Sequence, residues 1–319
     1  MAMDRALYGP GGFFMRDSPG PSDHFRTSVH ASPLFAGALL GLIDAVDAAL
    51  GRPRVLQVVD VGAGRGELLT ALRALTDDDE RLHFTGVEMA PRPAGLDPRI
   101  GWRRDIPESV TGVLLATEWL DNVPLDVAEV DQAGRIRRVL VDPATGQESL
   151  GPDVDAADRF WIARWWPRTG PGDRIELGWS RDSAWAQAVS SVRRGAALAV
   201  DYGHLRDSRP ALGTLTGFRG GRQLVPVPDG SCDVTAHVAL DSAAAAAGVP
   251  YRIISQREAL RALGVDGGRP PLELARTDPA AYLRALGTAG AAAELIDPDG
   301  LGGHRWLLHE AGIELRGTI

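Results

Sequence analysis

The stretch Val58-Val59-Asp60-Val61-Gly62-Ala63-Gly64-Arg65-Gly66-Glu67 decides the fold of this 319-residue chain. Its apolar run reads as a buried strand, its alternating glycines as a tight turn, and Leu68-Leu69-Thr70-Ala71-Leu72 as the start of a helix. Glycines between strand and helix let a ligand approach the backbone closely, because no Cβ intervenes. A dinucleotide binder with G-x-G-x-x-G would need glycine at position 67. Glu67 stands there instead, and the third glycine comes one place early, at Gly66. A nicotinamide oxidoreductase is therefore disfavoured.

Acids recur at the ends of the strands that follow. His83-Phe84-Thr85-Gly86-Val87 ends at Glu88, Gly101-Trp102-Arg103-Arg104 at Asp105, and Val113-Leu114-Leu115-Ala116 at Thr117-Glu118. Open α/β sheets bind ligands outside the carboxyl ends of their strands, where an acid accepts hydrogen bonds from ribose hydroxyls. The glycine spacing, with Asp60 two residues before Gly62, resembles motif I of S-adenosylmethionine (SAM) dependent methyltransferases. That resemblance implies a Rossmann-like class I methyltransferase sheet. It implies a SAM site made of Asp60, Gly62, Ala63, Gly64, Gly66, Glu88, Met89, Asp105, Ile106 and Thr117. Glu88 would hold the ribose, and Asp105 would lie near the adenine.

The composition, 44% hydrophobic and 24% charged, is that of a globular protein. A net charge of −8 argues against nucleic acid as a partner. All 34 basic residues are arginine, which reads as a coding bias. The single cysteine, Cys232, excludes an intrachain disulfide and a cysteine-based zinc cluster, and the seven histidines lack H-x-x-x-H spacing, so no metal is expected. No apolar leader or membrane-length run is visible, and a soluble cytoplasmic protein is the expectation.

An N-terminal segment and helix occupy residues 1–50, with the helix expected from Pro33 to Leu50. Strands then alternate with helices or loops over 55–117. Val127–Val130 and Ile136–Val141 flank Gln132-Ala133-Gly134 as an antiparallel hairpin, and a second turn follows at 142–146. Residues 154–192 read as helical at both ends and carry Trp161, Trp165, Trp166, Trp179 and Trp185, as core or as a substrate-facing wall. Ala196–Val200 is the fifth strand. The expected organisation is a SAM-binding domain, 51–124 and 195–319, interrupted between strands 4 and 5 by a hairpin and helical substrate subdomain at 125–194. Ala243–Ala247 belongs to a helix, and Tyr251–Ile254 and Arg305–His309 read as late strands. The segment 217–222 is expected to be a flexible loop, either a lid or plain surface.

Taken together these elements resemble the MidA-like methyltransferases, whose mitochondrial members are complex I assembly factors that methylate an arginine. The matching residues are Leu7-Tyr8-Gly9-Pro10, Gly12-Phe13-Phe14, Phe25-Arg26-Thr27-Ser28, Leu34-Phe35 and the glycine turn. Thr117-Glu118-Trp119-Leu120-Asp121-Asn122-Val123-Pro124 is similar to the family's N-E-F-x-D-A-x-P. Asp201-Tyr202-Gly203-His204, Gly213-Thr214-Leu215, Asp233-Val234-Thr235-Ala236-His237-Val238 and Ser255-Gln256 match as well. Thr117, Trp119, Asn122 and His30 depart from the usual residues, and the first motif is one residue short.

The resemblance implies an arginine of a partner protein as methyl acceptor. Two carboxylates can grip a guanidinium bidentately and aim its remaining nitrogen. Glu118 and Asp121, three apart, are the candidates for that grip, or else a pair of helix-capping acids. Asp201 and His204 are expected beside the same cleft, and His237 as a general base or an orienting hydrogen-bond partner. A small-molecule acceptor remains an alternative, as does a degenerate fold acting as an assembly protein. The resemblance also allows a homodimer.

Overall fold

The computed structural model describes residues 2–16, 27–76, 79–167, 169–315 and 317–319; Phe25 and Arg26 of the family motif lie outside them. The central sheet has seven strands, numbered in chain order: β1 (Leu56–Val61), β2 (Leu82–Val87), β3 (Gly101–Arg103), β4 (Val110–Thr117), β5 (Val192–Asp201), β6 (Tyr251–Ser255) and β7 (Arg305–Ala311). Their spatial order is β6-β7-β5-β4-β1-β2-β3. All neighbours are parallel except those of β7, which runs antiparallel to β5 and β6. The order reverses between β1 and β4, and their carboxyl ends open the crevice in which such sheets bind ligands.

The apolar runs follow from burial on both faces. Val58, Val113, Leu115, Leu198 and Trp306 pack beneath the helices Pro33–Ala49, Glu67–Leu75 and Gln256–Ala262. Their strand neighbours Val59, Leu114, Ala197, Ala199 and Leu307 point the other way, onto the helices Trp179–Ser190 and Leu240–Ala246. A sheet covered on one face only would show strict alternation with polar residues. Among the described residues, no helix is long and apolar enough to cross a membrane.

Between β4 and β5 the chain builds a four-stranded antiparallel sheet from Asp126–Val130, Ile136–Val141, Glu148–Asp153 and Arg174–Leu177, with the helix Ala156–Trp165 packed on it. The expected hairpin is present, with Val130 opposite Ile136. Its turn is fixed by the Asp131 carboxylate, which accepts from the amides of Ala133 and Arg135 at 2.9 Å each. The inserted strands end at Leu177; the next helix, Trp179–Ser190, packs Trp185, Ala188 and Val189 against the central sheet.

Two sequence expectations need correction. The third strand stops at Arg103, so Asp105 lies in the following bend. The segment 217–222 is no free loop, because Thr216–Arg219 and Arg222–Leu224 form a hairpin that pairs with Asp233–Thr235. Gly220-Gly221 makes the turn, and flanking strands of four and three residues carry too little pattern to be recognised in the sequence. On this small sheet sits the N-terminal helix Ala2–Tyr8, burying Met3, Ala6 and Leu7 with Cys232 and Val234.

The tryptophans divide. Trp161, Trp166 and Trp185 are core, each at most 1% exposed, whereas Trp179 is 41% exposed. The Trp185 indole also donates to His309 Nε2 at 3.1 Å, joining its helix to β7. Trp185→Ala is expected to destabilise the fold by about 3–5 kcal/mol, and Trp179→Ala by less than about 0.5 kcal/mol. Urea unfolding followed by circular dichroism measures both.

Candidate active site

A cavity of about 300 Å³ opens at the switch point between β1 and β4. Its floor is the glycine turn after β1. The turn is fastened to the end of β2, because the amides of Gly62 and Ala63 both donate to the Val87 carbonyl, at 2.9 and 3.2 Å. Gly62, Gly64 and Gly66 have φ of +74°, +56° and +80°, in the left-handed region that favours glycine. A Cβ at Gly62 would come within 2.7 Å of the Trp119 ring. A Cβ at Gly64 would meet only Glu67 Oε2, at 3.4 Å, so the space over its backbone is open.

Asp60, Gly62, Ala63, Gly64, Glu88, Met89, Asp105, Ile106 and Thr117 all line the cavity. Gly66 does not. It is the residue before the helix Glu67–Leu75 and turns the chain into it. Glu88 binds the glycine turn directly, Oε2 accepting from the Gly64 amide at 3.0 Å and Oε1 from the Met89 amide at 2.6 Å. Asp60 is 2% exposed, and its Oδ1 has no hydrogen-bond partner among the described residues. Burial pushes its carboxyl up to about 8, with Glu67 and Glu88 acting in the same direction. An orphaned acceptor, an open glycine backbone and an acid at the end of β2 fit a nucleoside ligand carrying hydrogen-bond donors.

Glu118 and Asp121 line the same cavity, following β4. Glu118 holds a φ of +51°. Its Oε1 accepts from the Ser28 amide at 3.0 Å and lies 4.0 Å from His304 Nδ1. Burial raises the Glu118 carboxyl to about 8 and lowers the His304 imidazole to about 4, so the two carry no opposed charges at neutral pH. Asp121 sits in the single turn Leu120–Asn122 and is 1% exposed. Its Oδ2 accepts from Thr235 Oγ1 at 2.6 Å and from the Tyr202 hydroxyl, while Oδ1 has no partner among the described residues. Burial raises this carboxyl too, against the hydrogen bonds from Thr235 and Tyr202 and the charge of Arg181. Neither acid caps a helix.

The other three candidates lie outside the cavity lining. Asp201 is wholly buried; its Oδ2 accepts from the amides of Leu120 and Asp121 at 3.0 and 3.2 Å, so it holds the turn rather than touching a ligand. His204 is fixed by Arg209, whose Nη1 lies 2.7 Å from Nδ1. Arginine only donates, which leaves the histidine proton on Nε2, facing Glu176 at 3.8 Å. His237 packs edge-on against Tyr202 at 5.1 Å. Its residue keeps solvent exposure, but packing desolvates the ring and, with His204 nearby, holds the imidazole below its usual range.

The sequence motifs contain Tyr8, Phe14, Thr27, His30, Trp119 and Asn122, with the departures among them expected near the substrate entrance, whereas Ala184 and Gln187 carried no signal. Tyr8 and Phe14, stacked at 5.6 Å, close the cavity together with Thr27, Val29 and His30, and Trp119, Asn122, Ala184 and Gln187 complete it. His30 bonds Thr27 Oγ1 through Nδ1 at 2.6 Å and lies 3.5 Å from Glu67 through Nε2. Arg181, 2% exposed, donates to the carbonyls of Val123, Ala236, His237 and Asp121. Only its place on the helix after the inserted sheet was visible in the sequence.

Residues 43–252 match the family described as "Putative S-adenosyl-L-methionine-dependent methyltransferase", and the chain belongs to that family. It is 26% identical to the mitochondrial protein arginine methyltransferase NDUFAF7 of Xenopus tropicalis, over 80% of this chain and 69% of that protein. The Danio rerio protein of the same name is 27% identical over 94% and 80%. Among solved structures, a protein of Burkholderia thailandensis described as a "likely methyl transferase", bound to S-adenosyl-homocysteine, superposes with a TM-score of 0.78. It is 26% identical, with 98% of this chain and 87% of that one covered. The chain is a SAM-dependent methyltransferase.

Two predictions concern this cavity. Gly64→Val places a β-branched side chain at positive φ and fills the open space, so a folded variant should lose SAM binding in calorimetric titration. Asp60, Glu118 and Asp233 are all raised to about 8 by burial, so the folded protein keeps protons that the unfolded chain has lost above about pH 5. His304 and His309, lowered to about 4, oppose this until the unfolded imidazoles lose their protons near pH 6.5, so stability should fall as pH rises from about 6.5 through 8. Melting temperatures without cofactor between about pH 6.5 and 9 check the direction; a rise across that range would contradict it.

Proposed function

We propose that the acceptor is an arginine guanidinium of a partner protein, gripped by Glu118 and Asp121. The observation that supports this reading is the pair of buried acids on the cavity wall, with Asp121 Oδ1 unfilled and a single amide bond on Glu118 Oε1. Guanidinium is the side-chain cation with N–H donors in a fixed fork, suited to two converging carboxylates. The two curated relatives are named protein arginine methyltransferases, which agrees.

SAM, when bound, supplies a methyl group on a sulfonium, an already activated leaving group. Asp60, the glycine turn, Glu88 and Asp105 would hold it. The protein's own work is positional: it fixes the acceptor nitrogen in line and excludes water. Tyr8, Phe14 and Trp119 supply aromatic walls to the cavity. After the N–C bond forms, the acceptor nitrogen carries a surplus proton. Glu118, raised to about 8 by burial, is matched to receive it once ionised. Asp121 keeps one oxygen for Tyr202 and Thr235 and offers the other to a substrate N–H.

Protein extract incubated with the enzyme and radiolabelled SAM, then hydrolysed in acid, should yield label in methylarginine. Label confined to the small-molecule fraction would overturn the arginine assignment and favour a metabolite as acceptor. Glu118→Gln should lower turnover about 100-fold while SAM affinity changes less than about twofold. In the wild type, kcat/KM should rise with pH up to about 8, as Glu118 ionises, and the variant should lose that rise.

A further inference from the structure

A second cavity, of about 280 Å³, lies between the helices Ala156–Trp165, Trp179–Ser190 and Leu240–Ala246. Its lining differs in kind from that of the first. Phe160 and Trp179 stand 66% and 41% exposed at it, an arrangement that leaves large aromatic faces in water. Trp165 also lines it, and the guanidinium of Arg164 lies 4.8 Å from the centre of that ring. Beneath the aromatics is Asp182, 6% exposed. Its Oδ2 accepts from Trp161 Nε1 at 2.8 Å and from Ser242 Oγ at 2.6 Å. Its Oδ1 is buried with no hydrogen-bond partner among the described residues.

Two features here are each unfavourable alone. A buried carboxylate oxygen without a donor forfeits its hydration, and exposed aromatic faces forfeit burial. One ligand relieves both: a flat cation that stacks on the rings and gives an N–H to the acid. We propose that this cavity is a receptor for a guanidinium group, stacked on Trp179 and hydrogen-bonded to Asp182 Oδ1. Guanidinium suits it better than a compact ammonium, being planar, weakly hydrated and able to stack while donating in its own plane. The pairing of Arg164 with Trp165 shows the same contact already made by the protein's own side chain. Burial raises the Asp182 carboxyl to about 6, which leaves it ionised at pH 7.5.

The site is joined to the methyl-transfer cavity by one helix. Trp179, Asp182, Ser183 and Ala186 face the second cavity, while Ala184 and Gln187 of the same helix face the first. Arg181, between them in sequence, binds the Asp121 carbonyl. The inference does not depend on which atom receives the methyl group.

Calorimetric titration of the SAM-saturated whole chain at pH 7.5 tests it, with three probes: N-acetyl-arginine amide, the uncharged N-acetyl-citrulline amide, and the tripeptide Gly-Arg-Gly. The arginine amide should bind and the citrulline amide should not. Asp182→Asn, which keeps an oxygen for Trp161, should weaken binding about tenfold, and Trp179→Ala, at an exposed position that tolerates truncation, about fivefold. SAM affinity should be unchanged in both. Tighter binding of Gly-Arg-Gly than of the amide would assign the occupant to a protein chain, and equal binding to a free small molecule; either supports a guanidinium receptor. No binding up to 20 mM (about the weakest useful affinity), equal binding of the citrulline amide, or equal affinity in both variants would overturn it. Binding lost in Glu118→Gln but kept in Asp182→Asn would place the heat in the first cavity and overturn it as well.

Discussion

A buried acid and a buried arginine grip one short turn from two sides, and the methyl-transfer cavity takes its shape from that grip. Asp201, at the end of β5, accepts the amides of Leu120 and Asp121. Arg181, on the following face, donates to the carbonyls of Asp121 and Val123. Between them they satisfy the backbone of a turn too short to satisfy itself. Burying either group costs hydration, and burial lifts the Asp201 carboxyl well above its ordinary range. Each recovers that cost through backbone groups of the turn, so both together fix where Asp121 stands. Tyr202 and Thr235 then fix the Asp121 carboxylate itself, leaving one oxygen open.

The glycine turn and the acids behind β2 and β3 were legible in the sequence because their logic is local. Strand, turn and acid follow one another within a few residues, and the physics of close backbone approach forces glycine there. Glu118 and Asp121 were legible for the same reason, as residues just beyond a buried strand. The contacts that hold the walls were not. Tyr8 reaches the Asn122 carbonyl across 114 residues, and the Ser28 amide reaches Glu118 across 90. No periodicity signals such contacts. His204 shows the opposite limit. Its motif read as part of the cleft, but Arg209, five residues on, takes its Nδ1 and Trp166 packs edge-on against its ring.

The departures from the family pattern acquire physical content in the fold. Trp119 lies so close to Gly62 that no other residue type fits beneath it. Asn122 donates to Asp233 Oδ1 at 2.9 Å and to the Val234 carbonyl at 3.2 Å, joining the turn to the small sheet that carries the N-terminal helix. His30 spans Thr27 and Glu67, fastening the N-terminal segment to the helix behind the glycine turn. Trp119, Asn122 and His30 all line the cavity, and Trp119 and His30 also pack against the glycine turn and the helix that follows it.

The cavity is assembled from residues between Tyr8 and Gln187, and its acid is braced by Asp201 and Thr235. During synthesis, none of the early segments can complete it. The glycine turn emerges from the ribosome long before the strand that supports its neighbour β4, because the whole inserted lobe must be translated in between. Contacts of such long sequence separation are slow to form. The helices Trp179–Ser190 and Leu240–Ala246, which cover the second face of β1 and β4, and the strand β7 that pairs with β5 all follow most of the insertion, so that face is the last part of the core to close.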